Sequence, residues 1–440
     1  MRDYASFLPL LGAVLALLSL IMAFRDGRRR RLIENLPTSK TSGVFIGLVE
    51  LKGTAESAQP LTSYLAGQAC VEYAWTVEEH WSRTVTETYT DDKGNIQTRT
   101  RTESGWAQVG NGGEMIAFYL QDDCGVILVR PEAAKLEPVK IFDTVCTPLN
   151  PLYYGKGPAM PVMNSTMQRR FLEMAIPVKA SLFVVGPARE RQDVVAPEIA
   201  ADKNAPMYLI STRTAEQVAS GMKWGARGWI IFGLVAAVGG TLWRDGALNV
   251  DPAGRVLLYV AIAAGYFFMG LLAWVWMVFN SLVDLRQRVR AAWALVDIQL
   301  KRRFDLIPNL VNCVKGYRDH EAQLQTELAA LRSQLNATAP GVPGPDHGAV
   351  SAQVVAIAER YPELKADTAF LSLQKNLSDT EQRIALARGY FNDIATHYNT
   401  RLETVPEKFV AALGAMKLQA LMEANDFERA AVTVDLTPAK

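Results

Sequence analysis

Three long apolar runs break up a chain whose hydrophobic positions elsewhere follow shorter periods. Phe7 to Phe24 holds no charge, and Gly228 to Trp243 and Val256 to Phe279 follow much later. At 1.5 Å per residue, about 20 apolar residues cross the hydrocarbon of a bilayer, so all three runs are predicted to be membrane helices. The polar segment from Arg244 to Arg255 joins the second and third into a membrane hairpin. Trp229, Trp243, Trp274 and Trp276 fall near the ends of these runs, where indoles favour the interface. The first run reads as an uncleaved anchor rather than a signal peptide. Arg2 and Asp3 are the only charged residues before it, Arg25 and Arg28 to Arg31 follow it, and no small-residue cleavage pattern comes after.

Between the first and second runs the pattern is that of short strands. Val44 to Leu51, Cys70 to Val77, Arg83 to Tyr89, Ile96 to Glu103, Met115 to Leu120, Val126 to Val129, Ala180 to Val185 and Tyr208 to Ile210 are rich in β-branched and aromatic residues, with Gly, Asp and Pro between them. Asp91 to Asn95 is predicted as a hairpin turn whose flanking strands are polar on both faces and project into water. Ser165 to Ala175 is expected to be a short helix and Gly110 to Gly113 a turn. Cys146 to Asn164 is a long proline-bearing loop whose Tyr153-Tyr154-Gly155 either docks a partner or packs over a barrel end. Thr214 and Gln217 have the spacing of a capping box at the start of a helix leading into the second span.

After the third run the period becomes helical. Leu282, Leu285, Val289, Trp293, Val296, Leu300 and Phe304 recur at steps of three and four, so the membrane helix is predicted to continue as a stalk with one apolar stripe. Pro308 should break it or start a new turn. Leu324 to Leu335 extends the stripe, Thr338 to Gly348 reads as a loop and Ala352 to Arg360 as a short helix. Phe370 to Leu402 is a long helix at mostly heptad, coiled-coil-like steps, and Pro406 opens a last short one. Together these predict a three- or four-helix antiparallel bundle.

Charge adds sidedness. Lys and Arg number 46 against 45 Asp and Glu, a net charge of +1, which gives no electrostatic case for nucleic acid. Basic residues cluster where each apolar run meets the same side: Arg25 to Arg31, Lys223 with Arg227, and Arg286 to Arg303. By the positive-inside rule, regions 25 to 227 and 280 to 440 face the cytoplasm of a multi-pass protein of the cell inner membrane. Arg28, Arg29, Arg30, Arg31, Arg286, Arg288 and Arg290 are expected at the membrane surface. There they either snorkel to the phosphates of the lipid bilayer or form a specific anionic-lipid site.

Two resemblances can be read from motifs. Gly47-Leu48-Val49-Glu50-Leu51-Lys52-Gly53-Thr54-Ala55, Pro60-Leu61, Cys70-Val71-Glu72-Tyr73, Asp123-Cys124-Gly125 and Leu182 to Gly186 resemble the GIDE domain, the membrane-adjacent module of a mitochondrial ubiquitin ligase and of many bacterial proteins. Ligase chemistry does not follow from it. That activity needs a RING with eight closely spaced Cys/His ligands, and Cys70, Cys124, Cys146 and Cys313 are unclustered. Trp293, Val296 to Val311, Val314 to Tyr317 and His320-Glu321, then Tyr361 to Ala366, Thr380-Glu381, Tyr390-Phe391-Asn392 and Tyr398-Asn399, strongly resemble the LemA family. Its members are typically membrane-anchored helical proteins of bacteria without an agreed activity. Here the usual N-terminal anchor of that family would be the third span.

The expected architecture is therefore a multi-domain α and β membrane protein. Its parts are an N-terminal anchor (1–24), a basic linker (25–42), a β-rich GIDE-like domain (43–212), a connecting helix (213–227), transmembrane helices (228–243 and 256–279) around a short external turn (244–255), an antiparallel LemA-like helical bundle (280–435) and a tail (436–440). No catalytic, cofactor or metal constellation is expected: the four histidines, His80, His320, His347 and His397, are scattered, and P-loop, H-E-x-x-H and Ser/His/Asp signatures are absent. Cys70 and Cys124 read as buried small hydrophobes. Asp297, Arg303, Asp305, Asn309, Asn392 and Asn399 are expected to form a polar network between helices. Leu282, Leu285, Val289, Trp293 and Val296 are expected to form a homo-oligomer interface, because the stalk leaves the membrane before the bundle can cover them. The implied function is a self-associating, non-enzymatic scaffold that presents both domains in the cytoplasm and shapes membrane. The alternative is an adaptor for an unidentified protein partner such as a protease or envelope-stress system.

Overall fold

The computed structural model describes residues 7–90, 96–191, 196–203, 205–317 and 368–422. They form two compact units, Thr38–Val218 and Met1–Pro37 with Ala219–Lys440. The expected turn at Asp91 to Asn95, the apolar stripe from Leu324 to Leu335, the loop after it and the helix at Ala352 to Arg360 lie outside the described residues.

The α-helices are α1 (Leu8–Glu34), α2 (Pro151–Gly155), α3 (Ala215–Ala247), α4 (Val256–Tyr317), α5 (Thr368–Glu403) and α6 (Glu407–Leu413). The strands are β1 (Thr38–Ser39), β2 (Gly47–Glu56), β3 (Leu61–Thr62), β4 (Ala69–Thr90), β5 (Ile96–Met115), β6 (Phe118–Gln121), β7 (Val126–Val129), β8 (Lys135–Glu137), β9 (Val139–Cys146), β10 (Ser165–Pro177), β11 (Ser181–Glu190), β12 (Pro197–Ile199) and β13 (Leu209–Ser211).

In the β unit, β2, β6, β7, β12 and β11 pair in succession and β11 pairs back onto β2, which closes a five-strand ring. Alternate residues point inward, and Leu51, Ala55, Phe118, Leu120, Val129, Leu182, Val184 and Ile199 fill the ring. Each large aliphatic buried there contributes roughly 1.5–3 kcal/mol. β2 and β6 approach so closely that a Cβ on Gly53 would lie 2.4 Å from the Gln121 carbonyl oxygen. The second sheet runs β3-β4-β10-β9, with β5 on β4.

Several expectations change here. Cys70 to Val77 and Arg83 to Tyr89 are parts of one strand, β4, paired with β5 from Glu72 opposite Met115 out to Thr90 opposite Ile96. The outer part of this hairpin is exposed, as its polarity on both faces implies. Gly110 to Gly113 is strand, not turn: Trp75 lies across it, and a Cβ on Gly112 would come within 2.9 Å of the indole. Ser165 to Ala175 is strand β10, not helix. Its alternation is real but hidden from a hydropathy reading, because the inward positions Arg169, Phe171, Glu173 and Ala175 include two charged residues. The loop before it contains α2, and its Tyr153 is fully buried, whereas Tyr154 is exposed. Cys70 and Cys146 are buried, but Cys124 is only partly so.

In the membrane unit, α1, α3 and α4 each contain a stretch long and apolar enough to cross a bilayer. Close approach of such helices needs small residues at the crossings. Gly12 and Gly240 supply them. A Cβ on Gly12 would lie 2.5 Å from the Ala236 carbonyl oxygen, and one on Gly240 would lie 2.7 Å from that of Leu8. Ala16, Leu20, Ala237 and Tyr266 form the buried cluster between the helices, and the Tyr266 hydroxyl donates to the Ile230 carbonyl at 3.0 Å. The expected hairpin turn is tied by Asp245, which accepts from Tyr259 at 2.7 Å and pairs with Arg244 and Arg255. The capping box forms: Thr214 N–H donates to Gln217 Oε1 and Gln217 N–H to Thr214 Oγ1. The connecting helix and second span are thus one helix, α3.

α4 is one helix of 62 residues that runs from its apolar stretch into the stalk and through Pro308 without ending there. Pro308 removes one backbone donor from the ladder, but the helix continues to Tyr317. α5 lies along it, with Phe391 edge-on to Trp293 at 5.2 Å between ring centroids. The antiparallel three- or four-helix bundle would need the segment between α4 and α5, outside the described residues.

Candidate functional site

A cleft forms in the membrane unit where α1 ends. α1 runs on past its apolar stretch through Arg28 to Glu34, a segment of good helix formers, and stops at Asn35, whose N–H still bonds the Arg31 carbonyl. The last turns of α5 bring His397, Arg401 and Thr404 beside it. The chain then turns at Pro406 and presents Glu407 at the start of α6. The cleft has a volume of about 390 Å³ and is lined by Arg30, Arg31 and Glu34 on one side and His397, Arg401, Thr404 and Glu407 on the other.

Glu407 is the organising anion. It accepts from Arg31 Nη1 at 2.7 Å, from Arg401 Nη2 at 2.8 Å and from Arg401 Nε. Arg31 and Glu407 are 6% and 9% exposed, so their pair is buried, with the partly exposed Arg401 completing an ion triad. Burial alone would raise the Glu407 pKa, but the hydrogen bonds and charges of Arg401 and Arg31 outweigh it and hold the carboxyl below its ordinary value. Arg401 Nη1 also donates to Asn35 Oδ1 at 2.7 Å, His397 Nε2 lies 3.3 Å from the same oxygen, and Asn35 Nδ2 donates to Ser281 Oγ at 3.0 Å. One hydrogen-bonded cluster therefore ties α1, α4, α5 and α6 together. Burial and the Arg401 charge keep His397 below the usual imidazole range, which favours the neutral ring. Arg31 Nε is buried without a hydrogen-bond partner.

The predicted site residues scatter relative to this cleft. Arg28 and Arg29 are exposed and Arg30 is partly so, but Arg31 is not a surface residue, because Glu407 draws it inward. Arg288 pairs with Asp284 at 2.9 Å one turn away. Arg290 is exposed, while Arg286 has its Nε buried.

Leu282, Leu285, Val289 and Val296 are at most 2% exposed inside the single chain, and Trp293 meets Phe391. Most of the stripe is thus covered within one chain, where the stalk was expected to leave the membrane before the bundle could cover all of it.

The polar network is also different in kind. Asn392 Nδ2 donates to the Met422 carbonyl and Asn392 Oδ1 accepts from Met422 N–H, both at 2.9 Å. Asn399 makes the same pair with Gln419, both at 2.8 Å. These asparagines hold a non-helical C-terminal strap against α5 rather than linking helices. Asp297 Oδ1 is buried without a partner, and Asp305 is exposed. The side chains of Arg303 and Asn309 lie outside the described residues.

The cleft residues Asn35, His397, Arg401 and Glu407 are not singled out by the sequence. The spacing of four between His397 and Arg401 does put both on one face of a helix, but nothing local points to Asn35 or Glu407 as their partners.

In the β unit, Arg169 and Glu79 form a second buried pair at 3.0 Å, both fully inaccessible. Arg169 also donates to the carbonyls of Tyr153 and Pro158 at 2.8 and 2.7 Å and stacks on the Tyr153 ring at 4.0 Å. Its donors are occupied, so it clamps the segment after α2. Asp122, Asp123 and Cys124 bring possible metal-ligating atoms within 4.8 Å of one another. Asp122, however, already accepts from Thr41, Cys124 and Gly125 backbone N–H groups and the Thr41 hydroxyl, which makes it a turn-fixing residue.

Comparison with known proteins matches residues 292–436 to the LemA family and residues 86–243 to the GIDE family, described as E3 ubiquitin ligase. The GIDE match begins later than the motifs suggest and runs on into α3. Protein LemA of Metamycoplasma hominis is 24% identical over 157 residues, which cover 34% of this chain and 71% of that relative. The chain thus joins a GIDE-family segment to a LemA-family segment, with three helices long and apolar enough to cross a membrane.

Proposed function

We propose that the protein is a non-enzymatic, membrane-anchored scaffold of the bacterial inner membrane that holds its β unit and its helical bundle on the cytoplasmic face. The observation that carries this reading is α4. A single unbroken helix forms a membrane span and then the stalk on which α5 packs, so the bundle is coupled rigidly to the bilayer rather than tethered by a linker. The Arg and Lys clusters beside the spans support the cytoplasmic side.

Copies of the chain associate in this reading, but through surfaces other than the stripe buried under α5. The ligase description of the GIDE family is not extended to this chain, because a RING needs clustered Cys/His ligands. The adaptor reading draws on one observation: the long β4–β5 hairpin exposes Tyr89, Ile96 and Trp106, which suits docking of a protein partner.

Imaging of particles extracted together with native lipid separates the two. Assemblies of this chain alone, with both units on one side of the lipid, support the scaffold. A second enzyme or membrane machine present in fixed ratio supports the adaptor, and single chains overturn the self-associating part.

A further inference from the structure

We propose that the cleft between α1, α5 and α6 binds a phosphate group, presented by an anionic lipid headgroup or by a soluble phosphate ester. The first reason is charge. The cleft is lined by Arg30, Arg31 and Arg401 against Glu34 and Glu407, and Glu407 is already engaged by Arg401 and Arg31.

The second reason is an orphan donor. Arg31 lines the cleft, is 6% exposed, and its Nε–H has no acceptor. A buried donor on a charged group left without an acceptor is costly, and a phosphate oxygen is the acceptor that a guanidinium fork fits best. Arg30 stands beside it, and its ion pair with Glu34 is 3.6 Å, too long for a hydrogen bond. One guanidinium set deep and one at the rim is a geometry that takes an oxyanion.

The third reason is depth. Arg31 follows Phe24 by about 10 Å along the helix, and the headgroup layer extends roughly 5–8 Å beyond the hydrocarbon. Arg31 thus stands a few ångströms beyond that layer, and a lipid phosphate reaches the cleft by way of the rim cation Arg30, whose long side chain snorkels back toward the bilayer. The lipid source rests on the membrane-anchored reading of the protein, whereas the soluble source does not.

The test uses the full chain in nanodiscs of phosphatidylcholine alone or with phosphatidylglycerol, with retained lipid read by native mass spectrometry. Glycerol 1-phosphate binding is read by phosphorus NMR in the neutral discs. Arg30→Gln removes the rim cation. Arg31→Lys keeps a cation for Glu407 but removes the Nε donor, and circular dichroism checks that both variants stay folded. Arg29→Gln, on an exposed residue that does not line the cleft, is the control.

Selective retention of phosphatidylglycerol, weakened roughly tenfold or more by each cleft variant and unchanged by the control, supports a lipid phosphate. Binding of glycerol 1-phosphate in neutral discs with the same sensitivity and no lipid retention supports the soluble source. The absence of both, or equal loss in the control, overturns the proposal. Loss of the lipid arm alone leaves the soluble source standing and counts only against the anchored geometry.

Discussion

Glu407 shows how one carboxylate can define a site. It is held by guanidinium groups from two other helices, and its carboxyl lies below its unfolded value near 4.5. Its stabilising contribution is therefore complete above that pH and is lost as pH falls through the lower folded value. Glu407→Gln should cost about 2–3 kcal/mol at neutral pH, because two arginines lose their shared partner. It should also remove this acid dependence from the thermal unfolding of the bundle.

Glu72 behaves in the opposite way. Burial pushes its carboxyl up to about 7, and one of its oxygens has no hydrogen-bond partner. Between pH 4.5 and 7 the unfolded chain ionises this group and the folded one does not, so stability falls as pH rises through that window. Glu72→Gln should then stabilise the β unit above pH 7, by up to about 3 kcal/mol. Hydrogen exchange along β10 would read the gain.

Neither role is visible in the sequence. Hydropathy places Arg31 among surface arginines, and its partner Glu407 is hundreds of positions away, so only the folded chain shows that the two meet.

Among elements, the strap from Ala415 to Met422 has the simplest test. Asn392 and Asn399 sit two helical turns apart on α5, and each satisfies one backbone N–H and one carbonyl of the strap. Asn392→Ala should speed hydrogen exchange at the Met422 amide roughly tenfold while leaving Gln419 less affected, and Asn399→Ala should do the reverse. Equal change at both amides would mean that the strap is released as one piece.

Gly12→Val tests the membrane crossing. The Cβ position faces a carbonyl oxygen at 2.5 Å, so α1 must move off α3 and a disulfide engineered across that crossing should fail to form. At this scale the sequence is informative wherever period and hydropathy agree, as in the three spans, the capping box at Thr214 and the α5 stripe. It misleads where a buried charge breaks the period, as Arg169 and Glu173 do in β10, and where the partner that decides the conformation is remote, as Trp75 is for Gly110 to Gly113.

For the whole molecule, the central claim is sidedness. α4 is about 90 Å long by its residue count, and in the proposed arrangement it converts the orientation of one membrane span into the position of the bundle. The same positive-inside argument puts the β unit on that side and the turn at Asp251 on the other. The direct measurement is labelling of intact cells with a membrane-impermeant thiol reagent. It uses full-length variants in which the four native cysteines are replaced by serine and one new cysteine is placed at Gln97, Lys417 or Asp251. The account predicts that Asp251→Cys is modified in intact cells, and that Gln97→Cys and Lys417→Cys are modified only after the membrane is opened. Ready modification of either Gln97→Cys or Lys417→Cys in intact cells would contradict it.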